Sequence, residues 1–161
     1  MKTLILYCSD YGFAEKCGQM IGERTEDAVC INFKSEDMKA LDLNTFDIII
    51  IGASIHAGKI SKKFKEYLIS NESTLLKKKI AIYLCCMDND KAEEYLKAEI
   101  PEKIYDHAFF KGHIGYALTF EKMNLIIRAM IKNISHQDKN VEEIKYDIID
   151  SLTEKLKEYS F

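Results

Sequence analysis

A chain of 161 residues has room for one domain's core, and a net charge of -3 at pH 7 excludes nucleic acid or an anionic lipid surface as a partner drawn by whole-molecule charge. Apolar residues at 47% and charged residues at 30% exclude the disordered and membrane-spanning classes. The five cysteines are odd in number and lack C-x-x-C spacing, which excludes a disulfide framework and a zinc site and points to reduced thiols.

Residues 3–8 are almost continuously apolar and predict a buried strand, and Ser9-Asp10 ends the run far short of a membrane span. With no small-residue cleavage site after it, the expected location is cytoplasmic, with at most peripheral membrane contact. A helix follows over 13–24 and a shorter strand over 28–33. Residues 46–52 and 79–85 repeat the apolar pattern, with helices over 61–69 and 91–98 after them. A fifth strand is expected over 109–118, then helices over 121–134 and 141–159 with polar residues 133–140 as the loop between them. In the last helix Val141, Ile144, Ile148, Leu152 and Leu156 recur every three or four residues as one apolar stripe. Pro101 is the only proline.

Continuous rather than alternating apolar strands have both faces covered, the habit of a parallel sheet. Strands alternating with helices imply right-handed βαβ units. The expected fold is α/β, a doubly wound three-layer α/β/α single domain over 1–161 with a five-stranded parallel sheet in the order 2-1-3-4-5.

In such a sheet a ligand binds outside the carboxyl ends of strands one and three. The loops concerned are Ser9-Asp10-Tyr11-Gly12-Phe13-Ala14 and Ser54-Ile55-His56-Ala57-Gly58. The first opens a helix, whose leading amides lack intrahelical partners and suit a phosphate. Ser9 offers a hydroxyl, Gly12 permits close backbone approach, and the amides from Tyr11 to Ala14 complete a cradle. The same residues also suit a plain strand-to-helix turn capped by Ser9 or Asp10.

Strand-Ser-x-x-Gly-x-x-helix near the amino terminus, with Ile51-Gly52-Ala53-Ser54-Ile55-His56-Ala57-Gly58, resembles the flavodoxin superfamily. More closely, the chain resembles the flavodoxin-domain branch that includes bacterial quinone-dependent protoporphyrinogen oxidases. Lys111-Gly112-His113-Ile114-Gly115-Tyr116 and residues 121–132 extend the resemblance along nearly the whole chain.

The resemblance implies a flavodoxin-like fold and FMN, with phosphate in the first loop and the isoalloxazine ring against the second. A third loop, Cys86-Met87-Asp88-Asn89, approaches the ring's pyrimidine side, and Tyr116 lines the pocket. It implies electron transfer or oxidoreductase chemistry performed by the flavin. The partners would be a redox protein or a quinone, and a porphyrinogen the substrate in the oxidase branch. The family's phosphate loop is rich in hydroxyls, whereas Tyr11, Phe13 and Ala14 stand here, leaving Ser9 and the Tyr11 phenol. A hydrogen bond to a charged group contributes roughly 1.5–3 kcal/mol, so each missing hydroxyl weakens binding by about tenfold or more unless something compensates. A scaffold with weak or lost FMN binding is therefore one alternative.

There is no tryptophan to stack on a flavin, which leaves His56 as the stacking or edge contact and Met87 as a soft one. Gly58 lets the Ala57–Gly58 peptide turn its carbonyl toward the proton that flavin N5 gains on one-electron reduction. Cys85 and Cys86 are expected to point to opposite faces as ordinary packing. Lys59, Lys62, Lys63 and Lys65 with 77–79 form a basic run near the site, either a solvated face or a dock for an acidic partner or quinone-bearing membrane. The segment from Lys111 to Lys122 holds no arginine with which to pair porphyrin carboxylates. A phosphoacceptor receiver domain shares the strand order but needs aspartate at the end of strand three, where Gly52-Ala53-Ser54 stands.

Overall fold

In the computed structural model, which describes residues 1–159, every central strand divides its side chains between two cores. From β1 (Thr3–Tyr7), Leu4 and Leu6 enter one core and Ile5 and Tyr7 the other. β3 (Ile48–Ser54) sends Ile49 and Ile51 one way and Ile48 and Ile50 the other. β4 (Lys79–Cys85) does the same with Ile80, Ile82 and Leu84 against Ala81, Tyr83 and Cys85. This two-sided burial is why the strands read as unbroken apolar runs. Each fully buried Leu or Ile contributes about 1.5–3 kcal/mol relative to exposure, so the strand centres dominate the sheet's stability.

The helices cover the two faces separately. α1 (Phe13–Glu23) and α7 (Tyr146–Glu158) bury Phe13, Cys17, Ile21, Ile149, Leu152 and Leu156 in the second core. α2 (Lys62–Ser70), the short α3 (Glu72–Leu75), α4 (Ala92–Glu99) and α5 (Glu102–His107) bury Phe64, Leu68, Leu75, Leu96 and Ile104 in the first. Neither α3 nor α5 was expected, and Pro101 stands at the N-cap of α5, where its missing N–H costs nothing. With β2 (Ala28–Asn32), β5 (Phe110–Leu118) and β6 (Val141–Ile144), the sheet has six strands in the order β2-β1-β3-β4-β5-β6.

The first five strands are parallel in the expected 2-1-3-4-5 order, and the sixth corrects the five-stranded expectation. β6 pairs antiparallel with β5 from Gly115↔Ile144 to Leu118↔Val141. The helix predicted over 141–159 thus begins at Tyr146, and Val141 and Ile144 belong to a strand rather than to its stripe. The helix predicted over 121–134 resolves into a 3-10 turn, Phe120–Lys122, and α6 (Leu125–Ser135). Asn124 stops the two from merging, because its Oδ1 accepts the Ile127 amide at 2.9 Å and caps the helix. Ile127 and Ile131 turn inward, while Leu125, Ile126, Met130 and Ile134 are exposed. Among the described residues no helix is long and apolar enough to cross a membrane.

Candidate functional site

β1 lies between β2 and β3, and the chain leaves β1 through α1 over the second core but leaves β3 through α2 over the first, so a crevice opens at the carboxyl ends of β1 and β3. Gly12 enters α1 there with φ 91°, a left-handed value that leaves the side of the loop open where other residues carry a Cβ. The first amide-to-carbonyl bond of the helix runs from Lys16 to Gly12 at 2.9 Å, so the amides of Phe13, Ala14 and Glu15 precede any intrahelical acceptor. Ser9 is buried, and its Oγ accepts the Gly12 amide at 3.1 Å. Of the expected cradle amides, that of Gly12 is therefore spent on shaping the loop. Phe13 and Ala14 are buried in the second core, and the Tyr83 hydroxyl donates to the Ala14 carbonyl at 2.7 Å, fastening the first turn of α1 to β4.

Asp10 would oppose an anion at this loop, but its carboxylate is ion-paired with Lys34. His56 Nε2 lies 3.3 Å from Asp10 Oδ2, and the His56 and Tyr11 rings meet edge-on at 5.6 Å and 82°. Burial first, and the Lys34 ammonium second, hold the His56 imidazole below its ordinary value, so it is neutral near pH 7. His56 and Lys59 bond backbone to backbone at 2.9 and 3.1 Å, closing a two-residue hairpin over Ala57 at φ 51° and Gly58 at φ 77°. Two positive φ values in succession are what such a hairpin needs, and they bracket the Ala57–Gly58 peptide. Ser54, expected in the loop, is the last residue of β3, and Ile55 packs on the first core while its amide donates to Cys85 at 2.9 Å.

The third loop is fixed by β5. One extra residue in β5 shifts the β4–β5 register between Leu84↔His113 and Cys85↔Gly115, and the Cys86 amide then donates to the Gly115 carbonyl at 3.0 Å. Asp88 turns to its own loop, its Oδ1 accepting the amides of Asp90 and Lys91 at 3.1 and 3.2 Å, so its carboxylate is occupied. Cys85 and Cys86 fall in opposite cores, and burial pushes the Cys86 thiol up, leaving it protonated and unreactive at neutral pH. Met87 and Tyr116 join Tyr11 against a small cluster of Leu118, Phe120 and Met123.

His113 ties this loop down. Its Nε2 lies 2.6 Å from the Cys86 carbonyl, which only accepts, so Nε2 carries the hydrogen and Nδ1 accepts from Lys145 Nζ at 3.1 Å. Adding a proton to Nδ1 breaks that bond and sets the imidazolium against the Lys145 ammonium. Burial, with Lys145 adding to it against the Cys86 bond, lowers the His113 pKa. The unfolded chain therefore binds the proton more readily, and the stability present at neutral pH declines as pH falls from about 6.5 through the lower folded value. Urea midpoints at about pH 7.5 and about pH 5.5 should drop more in the wild type than in His113→Gln, and equal drops would refute this role.

A family model described as a flavodoxin domain matches residues 4–145. The chain belongs to the flavodoxin-domain family. No curated protein matches the chain. Among solved structures, this flavodoxin-domain chain is similar to a flavodoxin from the domain Archaea, with 17% identity, a TM-score of 0.55, and coverage of 82% of this chain and 99% of that one. Flavodoxin 1 from Bacillus cereus gives 18% identity, a TM-score of 0.52, and 86% and 100% coverage. A WrbA-like flavodoxin from Agrobacterium tumefaciens gives 18%, 0.53, and 86% and 99%. At these identities the likeness is one of fold.

The flavodoxin-domain fold gathers Ser9 to Ala14, Ser54 to Gly58, Met87 and Tyr116 at one end of the sheet. It separates Lys77, Lys78 and Lys79 from them. These precede or open β4 at the opposite end, where Lys78 Nζ donates to the Asn44 and Phe46 carbonyls at 3.0 and 2.7 Å, so the basic run near the site reduces to Lys59 and α2. Three contributors went unread: Lys34 on Asp10, Tyr95 with a ring carbon 3.5 Å from where a Gly58 Cβ would stand, and Lys122 with Nζ 3.2 Å from the Tyr11 carbonyl. Only the third dimension joins them to the loops.

Proposed function

We propose that this chain binds FMN at the switch point between β1 and β3 and serves as an electron carrier or flavin oxidoreductase. The observation that carries this reading is the start of α1: a left-handed Gly12 followed by three amides ahead of the first intrahelical bond, beside an already neutralised Asp10. A left-handed Gly12, three amides without intrahelical acceptors and a lysine ammonium 3.3 Å from where a Gly12 Cβ would stand are donors of the kind a phosphate takes, so the residues present fit the group. Family membership and the fold shared with proteins described as flavodoxins support it, among them the two-electron reduced flavodoxin of Megasphaera elsdenii at a TM-score of 0.54.

When bound, FMN supplies one- or two-electron transfer. The chain's own residues bind, orient and shield it. Ser9 holds the loop's shape, and the amides of Phe13 to Glu15 take phosphate oxygens. Tyr11, His56, Met87 and Tyr116 supply the ring's aromatic and sulfur contacts in place of tryptophan. The Ala57 carbonyl, between two left-handed residues, is the acceptor assigned to a ring N–H. The electron partner is a redox protein or a quinone in a cytoplasmic setting. Titrating the protein with FMN and with riboflavin, followed by the visible spectrum, should show FMN the tighter ligand by at least about tenfold. Absence of FMN binding would remove the proposal and favour a flavin-free scaffold.

The finer reading, quinone-dependent oxidation of protoporphyrinogen, rests on the resemblance of residues 51–58 and 111–116. Turnover of protoporphyrinogen by the FMN-loaded protein with a quinone supports it, and turnover of FMN redox partners without porphyrinogen oxidation returns the assignment to electron carriage.

A further inference from the structure

We infer that Lys122 is a cationic ligand of the FMN phosphate, supplying from the far side of the loop the attraction that the missing hydroxyls do not. The inference rests on the FMN reading above. Its basis is a position. Lys122 Nζ donates to the Tyr11 carbonyl at 3.2 Å and stands 3.3 Å from where a Gly12 Cβ would be, so the ammonium sits beside the loop on the side that glycine leaves without a side chain.

The chain invests in placing that ammonium. Lys122 closes the 3-10 turn Phe120–Lys122, whose flanks Phe120 and Met123 are buried. The turn is held from both directions: Asn140 Oδ1 accepts the Phe120 amide at 2.9 Å, and Arg128 Nη2 donates to the Phe120 carbonyl at 2.6 Å. Neighbouring Glu121 is drawn away, its carboxylate accepting both Asn140 Nδ2 contacts at 2.8 and 3.0 Å.

The charges nearby are sorted in the same sense. Lys34 is consumed by Asp10 and Lys16 by Glu142, whereas among the described residues Lys122 has no carboxylate within ion-pairing distance. Lys122 Nζ donates to a carbonyl and makes no close ion pair among the described residues, although the neighbouring Glu121 carboxylate feels its charge, so two donors are left for an incoming acceptor. A phosphate monoester near pH 7 carries a charge of about -1.5 to -2 and three acceptor oxygens. Facing the amides of Phe13 to Glu15 across such a group, Lys122 completes its coordination, and positions 13 and 14 need no hydroxyls.

The test compares FMN and riboflavin affinities, read from quenching of flavin fluorescence, in the wild type, Lys122→Met, Lys122→Arg and Lys132→Met. Lys122→Met should weaken FMN by about 10- to 100-fold and leave riboflavin unchanged, because the lost interaction is a charge-assisted hydrogen bond. Lys122→Arg should keep most of the preference for FMN. Lys132→Met, whose ammonium lies over the Phe120 ring at 5.8 Å instead, should bind both flavins as the wild type does. A wild type that favours FMN while Lys122→Met favours it equally would overturn the role of Lys122 and leave the amide cradle standing. A wild type that binds both flavins alike, or neither, would overturn the cradle and this inference together.

Discussion

A Gly115→Ala chain should unfold at markedly lower urea concentration than the wild type, having lost about 3 kcal/mol or more. Two independent costs meet at this residue. Its φ is 119°, in the region that side-chain-bearing residues avoid. A Cβ there would also sit 1.9 Å from the Glu143 carbonyl oxygen and 3.3 Å from Ile144 Cα, both backbone atoms of β6. A side chain could swing away, but a paired strand cannot without giving up the ladder from Gly115↔Ile144 to Leu118↔Val141. Gly112 makes the control, since a Cβ there meets only side chains, Ile148 Cγ2 at 2.7 Å and Phe110 Cε1 at 2.9 Å. Gly112→Ala should cost about 1–3 kcal/mol. The damage at Gly115 reaches the site as well, because its carbonyl holds the Cys86 amide at the root of the third loop. Urea midpoints at an unchanged m-value decide the matter, and a midpoint equal to that of the wild type would show that β6 can move aside at little cost.

Legibility of the fold in the sequence tracks how local its causes are. The isoleucines from Ile48 to Ile51 announce a two-sided strand because burial on both faces is written into consecutive residues. β6 escaped because Val-Glu-Glu-Ile spaces its apolar ends equally well for a helix, and what makes it a strand is the free edge of β5 beyond Gly115. The break before α6 was partly legible, since Asn124 is a strong N-cap, but Phe120 and Met123 fit the helical period of the residues after them. At the site, the loops after strands one and three were readable from position alone, because strand ends place them, whereas Met87 came only with the family resemblance. The ionic side was not. Asp10–Lys34 and Tyr11–Lys122 join residues 24 and 111 positions apart, and no periodicity carries information over such separations.

Gly52→Ala is expected to be the second severe substitution, with a loss of about 2–4 kcal/mol and a weakened grip on FMN. Gly52 is the direct cross-strand partner of Tyr83, on the face that points into the second core. The added Cβ would lie 2.1 Å from Tyr83 Cζ and 2.2 Å from its hydroxyl oxygen, so the ring must leave. It has nowhere easy to go. Tyr83 is fully buried, and its hydroxyl already lies 2.8 Å from where a Gly18 Cβ would stand, which closes the route toward α1. Displacing the ring breaks the bond to the Ala14 carbonyl, which contributes about 1 kcal/mol, and adds overpacking of about 1–3 kcal/mol. Because that bond fastens the first turn of α1 to β4, the amides of the cradle lose their support along with the core. The ring's part in this can be isolated by repeating the substitution in a Tyr83→Leu background, which removes the obstructing end of the side chain. There Gly52→Ala should cost at least about 1 kcal/mol less than in the wild type, a coupling that only contacting residues show, and strictly additive losses would mean that the strand, not the ring, resents the methyl group.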